Sequence, residues 1–149
     1  MKLFLDTNVL LDHALDRPTG QPNEVRFLLT WAEENSIAIY MSAGSIYAFT
    51  YLMQRNGIRD EALKGMLHLY LRILRISPSD TDCFLDAVQS GFKDMEDAFQ
   101  HQTALRSQCD YLLTNNVKDF KLSTSKSMKI LTPNDFLTNV LKKRKGIHY

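Results

Sequence analysis

Short apolar runs alternate with longer stretches in which apolar residues recur every third or fourth place. Leu3-Phe4-Leu5, Ile37-Ala38-Ile39-Tyr40-Met41, Tyr111-Leu112-Leu113-Thr114 and Met128-Lys129-Ile130-Leu131 read as buried strands, and Leu74-Arg75-Ile76 as a short, ambiguous one. Val25, Leu28, Leu29 and Ala32 form one face of a helix for which Asn23 is a good N-cap. Ser42 is placed to cap the next helix, which carries Ile46, Phe49, Leu52 and Met53 and ends near Asn56-Gly57. Residues 59–71 repeat the helical period through Leu63, Met66, Leu67 and Tyr70. Ser77-Pro78-Ser79-Asp80 offers a serine cap, proline at the first helical position and an acid at the third, for a helix through Cys83, Phe84, Ala87 and Val88 that Ser90-Gly91 breaks. Residues 93–108 predict a helix with Met95, Ala98, Phe99, Gln102 and Leu105 along one side. Thr132-Pro133-Asn134-Asp135 repeats the cap–proline–acid start, and the last helix runs through Phe136, Val140 and Leu141 into a basic run from Lys142 to Lys145.

This alternation predicts an α/β fold: a roughly five-stranded parallel sheet with helices on both faces, joined by right-handed crossovers. No internal repeat or boundary interrupts the pattern, so residues 1–149 are expected to form one domain.

Composition narrows the class without naming it. A hydrophobic fraction of 44% and a charged fraction of 23% suit a soluble globule. No apolar run approaches the ~20 residues that span a bilayer. The opening Met1-Lys2-Leu3-Phe4-Leu5 is too short for a signal peptide and meets Asp6 at once, so a cytoplasmic protein without membrane attachment is expected. Cys83 and Cys109 stand in no metal-like or redox-like spacing and read as reduced packing residues. The net charge of +1 hides an asymmetry: residues 1–117 carry ten Lys/Arg against fifteen Asp/Glu, and residues 118–149 carry eight against two. A basic end on an acidic body suits either solubility or contact with a polyanion.

The candidate chemistry is carboxylate chemistry. Asp6 follows the first strand directly, at the sheet edge where open parallel sheets bind ligands. It suits either an N-cap or a functional acid. Asp94, Glu96 and Asp97 open the helix before the fourth strand, and Asn116 and Asp119 lie in the loop after it. Asp94 and Glu96 also suit the ordinary role of first-turn acids. If these groups meet, their repulsion calls for a cation, and hard oxygens select Mg²⁺ or Mn²⁺ rather than zinc. Such an ion would position phosphates and acidify a bound water. Thr7 and Asn8 are expected to hold the Asp6 turn, Thr114 to orient a carboxylate, and Asp12 to hydrogen-bond within the fold. His101, one turn beyond Asp97, reads as a packed histidine. Tyr47 and Tyr51 are expected in the core, although exposed near the site they would stack unpaired bases. The chain has no Gly-rich phosphate loop and no Ser/His/Asp arrangement, and no third-strand aspartate supports a receiver-like phosphoacceptor.

Three segments carry a resemblance. Leu5-Asp6-Thr7-Asn8-Val9-Leu10-Leu11-Asp12, Lys93-Asp94-Met95-Glu96-Asp97-Ala98 and Leu113-Thr114-Asn115-Asn116-Val117-Lys118-Asp119-Phe120 resemble, in order and spacing, the three main blocks of PIN domains. The resemblance implies a three-layer α/β/α sandwich and an Mg²⁺- or Mn²⁺-dependent endoribonuclease, in many relatives the toxin of a toxin–antitoxin module. It also implies an RNA substrate, an antitoxin partner and a homodimer. By position, Asp6 and Asp97 match metal carboxylates and Asp94 a frequent extra acid. Asn116 falls where many members place a fourth acid, with Asp119 close by. The second acid, usual on the helix after strand two, falls on Ala48, and no Asp or Glu occurs between Glu34 and Asp60. Asp94 is the available substitute. Without one, the resemblance implies a relative that binds RNA or a protein partner but does not cut.

Overall fold

The computed structural model describes residues 1–121, 123 and 126–142. The order is β1 (Lys2–Leu5), α1 (Thr7–Ala14), a 3-10 turn (Pro18–Gly20), α2 (Pro22–Glu34), β2 (Ala38–Ser42), α3 (Ala43–Arg55), α4 (Asp60–Ile73), β3 (Leu74–Ser77), α5 (Thr81–Val88) and α6 (Met95–Arg106). Then follow β4 (Tyr111–Leu113), a second 3-10 turn (Val117–Phe120), β5 (Lys129–Leu131) and α7 (Pro133–Asp135), which continues as a π-helical turn over Phe136–Val140. The basic run that begins at Lys142 continues through residues 143–145, which lie outside the described residues.

All five strands are parallel, in the order β3-β2-β1-β4-β5. Strand side chains alternate between faces, and the two apolar clusters record it. Leu3 and Leu5 face a cluster built with α1, α2, α3 and α4, which includes Val9, Leu28, Phe49 and Met53. Phe4 faces the other way, into a second cluster with Ala87, Ala98, Ala104 and Leu112 from α5, α6 and β4. The sheet is thus covered on both sides, as the strand–helix alternation predicts. The ambiguous run at Leu74 is a strand, paired to β2 from Leu74↔Ile39 to Ser77↔Ser42.

Helix starts differ from expectation in two places. Pro22 occupies the first turn of α2 with Gln21 as the capping residue, so the helix starts ahead of Asn23. Asn23 instead accepts a hydrogen bond from Arg26 through Oδ1 at 2.8 Å. Ser77 stays in β3, and Asp80 caps α5 by accepting from the Cys83 amide at 2.9 Å. Pairing with β2 holds Ser77 extended, and the cap passes to the next competent side chain. Ser42 and Thr132 cap as expected, each accepting the amide three residues on. Both cysteines are free and buried.

Candidate active site

The strand order reverses direction at β1, with β2 on one side and β4 on the other. This is the switch point of an open parallel sheet, where the loops leaving adjacent strands part and open a crevice. Asp6 follows the last residue of β1, and its amide donates to the Leu113 carbonyl at the end of β4 at 3.0 Å. Its side chain is 4% exposed. Asp6 stands at the N-cap position of α1 but makes no side-chain capping bond. Its carboxylate is held by side chains instead: Thr114 Oγ1 donates to Oδ2 at 2.9 Å, and Gln100 Nε2 donates to Oδ1 at 3.0 Å.

A network fixes these donors. Gln100 Nε2 also donates to Thr7 Oγ1 at 3.1 Å, and the Thr7 hydroxyl donates to Ser45 Oγ at 2.8 Å. Ser45 Oγ lies 2.9 Å from Ser42 Oγ, so the first residue of α1 is joined through Ser45 to the cap of α3. The Asn116 amide donates to Thr114 Oγ1 at 3.1 Å. Thr7 is buried in this network and Asn8 is exposed, while the Val9 amide donates to the Asp6 carbonyl at 3.1 Å.

Electrostatics bring the remaining acids to Asp6. Asp97, on the first turn of α6, has its carboxyl pushed up to about 7, first by burial, then by the charges of Asp6, Asp94, Asp119 and Glu96. Burial also raises Asp6, against the hydrogen bonds from Thr114, Gln100 and the Thr7 amide, with Glu96 adding repulsion. Asp97 thus feels the charges of Asp6 after β1, of Asp94 and Glu96 at the start of α6, and of Asp119 in the second 3-10 turn, and Asp6 feels that of Glu96. Asp94 is exposed and caps α6, its Oδ1 accepting from the Asp97 amide at 3.0 Å. Asn116 is exposed and joins the site through its backbone.

Other expectations resolve on the same geometry. Asp12 accepts from Asn115 Nδ2 at 2.9 Å and pairs with Arg17 at 3.3 Å, binding the end of α1 to the loop after β4. His101 is buried, 2.7 Å from Ser123 Oγ and packed on Phe92, and burial lowers its pKa. Tyr47 and Tyr51 are not in the core; they are 79% and 58% exposed. The buried face of α3 is Ser45, Phe49 and Met53, at i, i+4 spacing, and this turns both tyrosines outward. Gln100 is the functional residue that sequence reasoning missed. It is 2% exposed, and α6 buries Gln100, His101 and Thr103, whereas apolar periodicity points to Gln102.

The donor set fits a hard cation. It is all oxygen and carries several negative charges, and burial together with the neighbouring acids pushes the Asp97 carboxyl up to about 7. Among the described residues no three His, Cys, Asp or Glu side chains form a ready cage for a metal. Few protein oxygens, completed by water and phosphate, is the pattern Mg²⁺ follows. Ala48 leaves α3 without a carboxylate at this edge.

Comparison with known proteins agrees with the fold. A crystal structure of VapBC2 from Rickettsia felis bound to a DNA fragment from their promoter superposes with a TM-score of 0.66 and 17% sequence identity, covering 87% of this chain and 98% of that one. A search of the curated proteins gave no match. The family model described as PIN domain matches residues 2–118, from β1 through the loop that carries Asn116. The chain belongs to the PIN-domain family.

Proposed function

We propose that this protein is a divalent-metal-dependent ribonuclease. The observation that supports it is the coupling of Asp6 and Asp97, with Asp94, Glu96 and Asp119 around them, at the sheet's switch point. Asp6 and Asp97 would hold Mg²⁺ or Mn²⁺ directly, with Asp94 and Asp119 assisting through waters and Asn116 orienting them. A divalent ion there supplies charge to offset the scissile phosphate and to acidify the attacking water. The chain's own task is positional. Thr114 and Gln100 fix the two Asp6 oxygens, and the Thr7–Ser45–Ser42 hydroxyls hold Gln100 in place. Lys118 and Lys121, both exposed, flank Asp119 and would contact backbone phosphate.

The VapBC2 neighbour supports reading the protein as the toxin of a toxin–antitoxin pair, with an antitoxin as partner. A second reading, a domain that binds RNA without cutting it, is favoured by Ala48, which leaves α3 without an acid. Purified protein with Mn²⁺ and a panel of single-stranded RNAs separates the two. Cleavage that Asp97→Asn abolishes is the expected result; binding without cleavage at every metal concentration overturns it.

A further inference from the structure

Beside the carboxylates lies a groove of about 450 Å³ between the start of α3, the start of α5 and α6. Its size is that of a small-ligand pocket, ~300–1,000 Å³. Tyr47 lines it from α3, and Phe84 and Phe99 line it from α5 and α6. Phe84 meets Phe99 edge to face, with ring centroids 4.9 Å apart, yet is still 43% exposed. Tyr47 and Phe84 therefore keep exposed ring surface at the groove, Phe84 with Phe99 against it. Ala48 also lines the groove, and any longer side chain there would occupy part of it.

The charge of the lining decides what fits. Among the described residues no Lys, Arg or His borders the groove, and Glu96 does. A phosphate is thus repelled, whereas a neutral, flat heterocycle with N–H donors is not. The groove is continuous with the candidate active site through Gln100 and Glu96. Gln100 lines it and also donates to Asp6. Glu96 lines it and also acts on the charge of Asp6 and Asp97.

We infer that this groove is a nucleobase subsite: it takes one unpaired base of a single-stranded nucleic acid, stacked on Tyr47 and Phe84, while the adjoining phosphate lies at the carboxylates. The inference rests on the nuclease reading for the identity of its ligand. The vacated position at Ala48 is part of the subsite, which links the absent acid to substrate selection.

The test uses single-stranded RNA hexamers carrying 2-aminopurine at successive positions, bound to the protein with Ca²⁺ in place of Mn²⁺, with gel electrophoresis to verify that the RNA stays intact. Stacking quenches the fluorescence of the captured base. Quenching at one position is expected, with affinity falling roughly tenfold in Tyr47→Ala and in Phe84→Ala, the loss typical of one base–aromatic stack. Both side chains are exposed, so the fold tolerates the changes, and circular dichroism checks this. Ala48→Leu blocks the groove from within and is expected to remove the quench. Quenching and affinity unchanged in all three variants overturn the subsite and leave the groove to a protein segment. Cleavage in Mn²⁺ is scored separately. RNA that is cut while the variants bind like wild type refutes the subsite and spares the nuclease. A quench that depends on Tyr47, without cleavage by wild type, upholds the subsite and removes the nuclease.

Discussion

Thr114 has two jobs on one oxygen: its hydroxyl donates to Asp6 Oδ2 and accepts from the Asn116 amide. Valine keeps the shape and removes both bonds. Thr114→Val is expected to weaken Mn²⁺ binding or cleavage by about 10–100-fold, the usual effect of losing a partner behind a metal ligand. It should also cost about 1–3 kcal/mol of stability, because a buried carboxylate oxygen loses its donor. Calorimetric titration of Mn²⁺ reads the first and urea unfolding the second; wild-type values in both would show that Thr114 orients nothing. Asp97 makes a different prediction. Its carboxyl is raised from 3.8 to about 7, so between these values the folded, metal-free protein holds a proton that the unfolded chain has released. Stability from this group is complete below pH 3.8 and is lost as pH rises through about 7. Asp97→Asn removes the dependence. The metal-free variant should resist urea better than wild type at pH 8 and nearly equal it at pH 4. Parallel stability-versus-pH curves for the two proteins would contradict the rise that burial and the neighbouring acids impose on the Asp97 carboxyl.

At the level of helices, strands and the turns between them, the short 3-10 turn after α1 is more constrained than its length suggests. A Cβ added to Gly20 would overlap the Asp12 carboxyl, and Asp12 is the group that ties α1 to Asn115. Gly20→Ala is expected to lose about 1–3 kcal/mol, the range for forcing a group into a packed site. Thermal unfolding measures it, and a wild-type melting temperature would show that the turn yields. This kind of contact also marks what the sequence could reveal. The strand at Leu3-Phe4-Leu5 and the cap at Ser42 are legible because periodicity and local hydrogen bonding decide them. Asp6 and Asp97 are legible because charge at a strand end and at a helix start is costly without a purpose. Gln100, Ser45 and the exposed tyrosines are not, since each depends on which face of a helix meets the sheet. Helix α6 buries polar side chains in order to reach Asp6, and that defeats an apolar pattern. The cap of α5 was obscured in turn by strand pairing that lies 35 residues away in sequence, between Ser77 and Ser42.

Asp6 is buried where β1 and β4 meet, bonded to Thr114 and Gln100, so a cation bound there would stabilise the fold as a whole. An ion that binds the folded chain at 100 times its dissociation constant adds about 2.7 kcal/mol. Mn²⁺ is therefore expected to raise the melting temperature of the wild type, with Asp97→Asn showing little of the rise; Ca²⁺ and monovalent salt at equal ionic strength serve as controls. An equal rise in both proteins would place the ion elsewhere. The bond between Asp6 and Thr114 joins residues 108 positions apart. Synthesis proceeds from the amino end, so a growing polypeptide exposes Asp6 long before its partner strand has left the ribosome. Until β4 docks beside β1 the Asp6 carboxylate lacks Thr114 and the crevice is not formed, so the proposed nuclease would gain its site only when these two strands close.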